Sequence, residues 1–64
     1  MKVRLKDVHY NAREGAFEAR VDIQRGSQTF RYPCRIAGPI NMDASAVRVG
    51  LFAKAMQMSD SAGF

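Results

Sequence analysis

The clearest pattern along the chain is a strict alternation of apolar and polar residues between positions 16 and 25. Its apolar residues are Phe17, Ala19, Val21 and Ile23. The polar residues between them are Glu18, Arg20, Asp22 and Gln24. Because a period of two residues over this length is typical of a strand with one buried face, we predict a half-buried β-strand at about 16–25.

The alternation resumes after Gly26 and Ser27, which predicts a hairpin whose next strand covers about residues 28–36. The register of a two-residue turn brings four apolar pairs together on one face: Ile23 with Phe30, Val21 with Tyr32, Ala19 with Cys34, and Phe17 with Ile36. It also opposes two charged pairs on the other face: Asp22 with Arg31, and Glu18 with Arg35. Pro33 cannot donate a ladder hydrogen bond, so we expect this strand at a sheet edge.

The segment at about residues 1–10 predicts a further strand with an irregular register. Met1, Val3 and Leu5 share one phase of the alternation, whereas Val8 and Tyr10 have the other. A β-bulge near Lys6 and Asp7 would place all five on the same face. With a loop at 11–15, the three strands form an antiparallel meander.

The rest of the chain predicts one helix. Gly38 and Pro39 end the last strand, and residues 41–43 offer side chains that can cap a helix. We expect a helix at about 43–58 and a frayed tail at 59–64. The predicted fold is a single α+β domain over residues 1–64, with a three-stranded antiparallel meander followed by a helix packed on the sheet (β-β-β-α).

The predicted helix has more apolar surface than a three-stranded sheet needs. At 100° per residue its polar sector is narrow, and two apolar ridges remain. One consists of Val49, Phe52 and Met56, and the other of Val47, Leu51 and Met58. Either the sheet curls around both ridges, or a partner covers one of them. We expect a homodimer, or another protein covering the helix, with the interface centred on Val47, Leu51 and Met58.

Gly50 stands inside this helix, where glycine costs about 1 kcal/mol relative to alanine. It either permits the close approach of another backbone or is merely tolerated.

The chain has a net charge of +4, and the predicted outward sheet face accounts for it. The cations on this face are Lys2, Arg4, Lys6, Arg20, Arg31 and Arg35. Glu18 and Asp22 are the acids there. Such a face is either solvated and protective against edge aggregation, or it binds an anion, of which nucleic acid is the obvious example. Because the face has no Phe or Tyr, only phosphate contacts are expected there.

Composition argues against catalysis and against a bound metal or cofactor. One cysteine and one histidine allow no internal disulfide and no ordinary zinc site. Cys34 and His9 are predicted on opposite faces of the sheet, and Glu18 and Asp22 are a little over ~13 Å apart along one strand. We therefore expect a protein that is not an enzyme.

At 64 residues the chain is small, and it has no apolar run of the ~20 residues that span a bilayer. The alternating first segment also lacks the continuous apolar stretch of a secretory signal. We expect a soluble cytoplasmic interaction module that self-associates, or alternatively a nucleic-acid-binding protein, with no membrane partner.

Overall fold

A computed structural model describes residues 1–62 and confirms the predicted α+β fold. One antiparallel sheet has the strand order β1-β2-β3, and a single helix, α1, packs on it. The elements are β1 (Lys2–Asn11), β2 (Ala16–Arg25), β3 (Gln28–Ala37) and α1 (Ala44–Ala62). The long central strand therefore has a neighbour on each side, and β1 and β3 are the edges.

The hairpin between β2 and β3 has the predicted register. All four apolar pairs and both charged pairs lie opposite each other, and the ladder closes at Arg25 and Gln28. Gly26 has φ 61°, which fits the first central position of a type II′ turn. Pro33 lies on the edge strand, where its missing N–H leaves no gap in the ladder.

The first strand contains the predicted bulge. Its register with β2 shifts between Lys6 and His9, and Asp7 has φ 58° within the shift. Asp tolerates this left-handed conformation better than most side chains. The extra residue returns Tyr10 to the inward face, where its ring packs edge-on against Phe17 with 4.8 Å between centroids.

The helix begins as predicted but ends later. Asp43 caps it, because its carboxylate accepts a hydrogen bond from the N–H of Ala46 at 3.1 Å. The predicted end at about residue 58 is wrong, since the helix continues to Ala62. Ser59 is buried and accepts a 2.8 Å hydrogen bond from the guanidinium of Arg25, which ties this turn to β2. The last two positions of the expected frayed tail, 63–64, lie outside the described residues.

The buried face of the helix is the row that repeats every four residues. Val47, Leu51, Ala55 and Ser59 are all buried, and Leu51 is 0% exposed. The apolar members of this row join Ala19, Val21, Ile23 and Cys34 in the core.

The residues of the predicted interface lie in or against this core. Val47 and Leu51 are core residues of the single chain, and Met58 is half-buried against the same core. Leu51 is closed to a partner in the folded chain, whereas Met58 remains partly exposed. In the second ridge Phe52 and Met56 also pack against the core, and Val49 is 67% exposed.

The helix is displaced toward one side of the sheet. It packs mainly on β3, less on β2, and makes at most marginal contact with β1. Gly50 explains the displacement, because a Cβ atom at this position would overlap Cδ1 of Ile36 on β3. In the described part of the chain, no helix has the length and apolarity that a membrane crossing requires.

Candidate interaction surfaces

An open apolar groove lies between the start of the helix and β1. It has a volume of about 460 Å³ and is lined by Leu5, Val8, Phe17, Ile40, Met42, Ala44, Val47 and Arg48. Residues from β1, β2, the connection before the helix and α1 therefore all contribute to it. The groove lies where the helix, which packs mainly on β3, covers the inward side of β1 only in part.

Large apolar side chains are exposed on and beside this groove. Ile40 is 70% exposed and Val8 is 46% exposed, and both line it. Val49, at 67%, is exposed on the side of the helix opposite the buried Val47 and Leu51. Sequence reasoning missed Val8 and Ile40 as surface residues.

The outward face of the sheet carries a cationic patch, defined here as Lys2, Arg4, Lys6, Arg20 and Arg31 around Asp22. Four of these cations, together with Asp22, Gln24 and Thr29, line a depression of about 260 Å³: Lys2, Arg4, Lys6 and Arg31. Five cations and one carboxylate leave four positive charges in the patch. The remaining charged residues cancel, so the patch holds the whole net charge of the chain.

Asp22 is the neutralised centre of the cationic patch. It is only 8% exposed. Its carboxylate lies 3.1 Å from Nε of Arg20 and 3.9 Å from Nε of Arg31. The predicted cross-strand partner Arg31 is thus the more distant one, and Arg20 on the same strand is closer. Among the described residues, Lys2, Arg4 and Lys6 form no ion pair.

The other end of the outward face is a closed polar network around Glu18. Its carboxylate accepts hydrogen bonds from Arg35 at 2.8 Å, His9 at 3.0 Å and Asn11 at 3.3 Å. Burial raises the pKa of Glu18, but these three hydrogen bonds outweigh burial and lower it. Arg35 also lies 3.7 Å from Glu14. Because Arg35 forms ion pairs with Glu14 and Glu18, we do not count it among the cations of the patch.

Cys34 and His9 do not form a catalytic pair. The Cys34 thiol lies in the core against the helix, whereas His9 is exposed on the outward face beside Glu18. Burial raises the pKa of the Cys34 thiol, and the charge of Lys54 offsets this only in part. A protonated, buried thiol is a poor nucleophile.

Two surfaces with different chemistry therefore lie on the two sides of the sheet, one apolar and one cationic. No family model, curated protein or solved structure matches the chain.

Proposed function

We propose that this protein is a small non-enzymatic interaction module that forms a homodimer through its apolar groove and the side chains beside it. The observation that carries the proposal is the displaced helix, beside which the inward side of β1 is only partly covered and an open apolar groove remains. A sheet and a helix are stable when each buries its apolar face against another element. A second copy supplies such a layer. We also propose that the protein is cytoplasmic, as expected from the sequence.

A second copy suits the groove because both halves of a contact are present on one molecule. The groove is a concave apolar feature, and Val8 and Ile40 are exposed apolar side chains that line it. A two-fold interface requires this combination, since each copy presents the same surface to the other. Among the described residues, Arg48 is the only charged one that lines the groove, so the contact brings few charges together.

Pairing through the free edge of β1 is a less favourable way to form the dimer. Two antiparallel β1 strands would bring Lys2, Arg4 and Lys6 of one copy beside the same residues of the other. Like charges on neighbouring strands are destabilising, and lysines on edge strands oppose such pairing. The proposed dimer therefore meets face to face and leaves both cationic patches on its outside.

The accessible area agrees with an interface of modest size. The chain exposes 4540 Å². A monomeric protein of 7.1 kDa exposes about 4,100 Å². The excess is roughly half of the ~800 Å² that each partner buries in a standard interface. Interfaces below the standard size are typical of weak, transient complexes, so we expect a dimer that dissociates on dilution.

Sedimentation equilibrium at low and high salt tests the proposal. The wild-type chain should be dimeric at high micromolar concentration, with little change in the dissociation constant between the two salts, because an apolar contact is not screened. Ile40→Glu should produce a folded monomer, since Ile40 lines the groove, is 70% exposed, and as glutamate introduces a charge at the interface.

Gln57→Glu is the matched control, because it places a carboxylate at an exposed position outside the groove. It should leave the dissociation constant unchanged. A wild-type monomer at high micromolar concentration, or equal dissociation of the two variants, would contradict the proposal.

A further inference from the structure

We propose that the cationic patch binds the phosphate backbone of a double-stranded nucleic acid without reading its sequence. The first support is the distribution of charge. The patch covers one end of the outward sheet face and contains all four net positive charges of the chain, while the other end is closed by the network around Glu18. The positive field is therefore concentrated on one surface, which is typical of proteins that bind nucleic acid.

The second support is that the cations of the patch are available. Lys2, Arg4 and Lys6 are exposed and have no ion-pair partner among the described residues. Arg31 is also available, since its side chain is 66% exposed and its single contact with Asp22 is a long ion pair of 3.9 Å. Asp22 repels an anion weakly, because it is buried and lies against Arg20.

The spacing of these cations fits an extended polyanion. Lys2, Arg4 and Lys6 alternate along one strand, so neighbouring cations are about 6.7 Å apart at the backbone. Arg31 lies two strands away in the row of Arg4 and Asp22, at about 9.6 Å. Cations spaced over this area can extend along a chain of phosphate groups. They can contact successive phosphates of one backbone.

The chemistry of the face favours a duplex over a single strand. Proteins that bind single strands stack bases on aromatic side chains. The described outward face has no Phe or Tyr, because Tyr10, Phe17, Phe30 and Tyr32 have the inward phase of their strands. The patch can bind only the phosphates, which gives affinity without sequence information.

The same arrangement disfavours a membrane surface. A protein that lies on a bilayer usually inserts apolar side chains beside its cations. The exposed apolar residues Val8 and Ile40 line the groove on the other side of the sheet, and among the described residues the depression of the patch is lined by polar and charged side chains alone.

Fluorescence anisotropy with a labelled duplex DNA of random sequence tests the proposal. Four phosphate contacts give a slope of about −3.6 in a plot of log K against log salt. Affinity should therefore fall roughly 100-fold between about 50 and 200 mM salt. Because this measurement uses the wild-type chain, it does not depend on the folding of any variant.

Charge-matched variants locate the site. The triple variant Lys2→Gln, Arg4→Gln, Lys6→Gln should lose about 2.7 of the slope, which is three contacts. The control Arg13→Gln, Arg48→Gln, Lys54→Gln removes the same charge from exposed positions outside the patch and should keep most of the slope.

Three outcomes would overturn the proposal. The wild-type chain could fail to bind the duplex at about 50 mM salt. Both triple variants could lose the slope equally, which would indicate a general effect of net charge. Vesicles containing anionic lipid could bind the chain through the patch while the duplex does not, which would make the ligand a membrane.

Discussion

His9 fixes the bulge of β1 through both nitrogens of its ring. Nδ1 lies 2.9 Å from the carbonyl oxygen of Asp7, and Nε2 lies 3.0 Å from the carboxylate of Glu18. Both partners are acceptors, so both hydrogen bonds form only when the ring is a doubly protonated imidazolium. The hydrogen bond to Asp7 raises the pKa of His9 above its ordinary 6.5, and the hydrogen bond to Glu18 raises it further.

The raised pKa makes stability depend on pH near neutrality. A histidine whose pKa is higher in the folded chain contributes its full stabilisation below the unfolded value of about 6.5 and loses it as the pH rises through the folded value. Melting temperatures measured from about pH 5.5 to about pH 8, below the range in which the buried Cys34 thiol titrates, should therefore fall across this window in the wild-type chain. Since His9 is the only histidine, His9→Gln should remove that fall.

The lowered pKa of Glu18 does not disturb this measurement, because it acts at acid pH, below its ordinary value of 4.5. An identical pH profile in His9→Gln and in the wild-type chain would show that the imidazolium does not stabilise the bulge.

At the scale of elements, the contact between Gly50 and Ile36 sets the position of the helix. Gly50 lies in the sector that helical periodicity assigns to the polar side, together with Lys54 and Gln57. The structure places Gly50 of this sector against β3, where the missing Cβ leaves room for the end of Ile36, while Lys54 and Gln57 are exposed. The glycine therefore permits close packing of helix on strand, and its cost in helix propensity is offset by that packing.

A double-mutant cycle tests this contact. Gly50→Ala gains about 1 kcal/mol of helix propensity but forces Ile36 from its rotamer, which costs about 0.5–1.5 kcal/mol. In the Ile36→Val background the overlapping methyl group is gone, so the same substitution should be about 1 kcal/mol more favourable. Chemical denaturation of the four proteins gives the coupling energy. A coupling near zero would mean that the two residues do not restrict each other.

The strands were predictable from the sequence because their pattern has one consistent solution. Hydrophobic alternation, the turn at Gly26 and two opposed charge pairs all require the same register, and the phase change before Val8 requires a bulge. The helix lacked such agreement. Either of the two apolar ridges could face the core. The orientation of the helix depends on tertiary contacts that no local pattern reveals, namely Gly50 with Ile36 and Ser59 with Arg25.

The candidate surfaces divide in the same way. The cationic patch follows from strand phase, so five of its residues were predicted, although the pairing of Asp22 with Arg20 was not. The apolar groove depends on the sideways displacement of the helix, and Ile40 lies in the connection before the helix, where there is no periodicity to interpret.

At the scale of the whole molecule, the sheet separates the two proposed contacts. The apolar groove lies on its inward side and the cationic patch on its outward side, so each partner can bind without displacing the other. Substitutions on the two sides share no contacts, and their effects on dimerisation and on duplex binding should be additive.

The place of Leu51 decides whether this division is correct. Leu51 is fully buried in the core, so Leu51→Ala should lower the free energy of unfolding by about 2–5 kcal/mol. In so small a domain this lowers the melting temperature by at least about 8 °C. Val49→Ala, at an exposed position, should change the stability of the monomer by about 0.5 kcal/mol or less.

Calorimetry at low and high protein concentration distinguishes core from interface, because only interface contacts weaken on dilution. The loss caused by Leu51→Ala should be the same at both concentrations. A loss that shrinks on dilution would place Leu51 at the dimer contact, as the sequence alone suggests, and would mean that the helix is turned by about one ridge from the orientation described above.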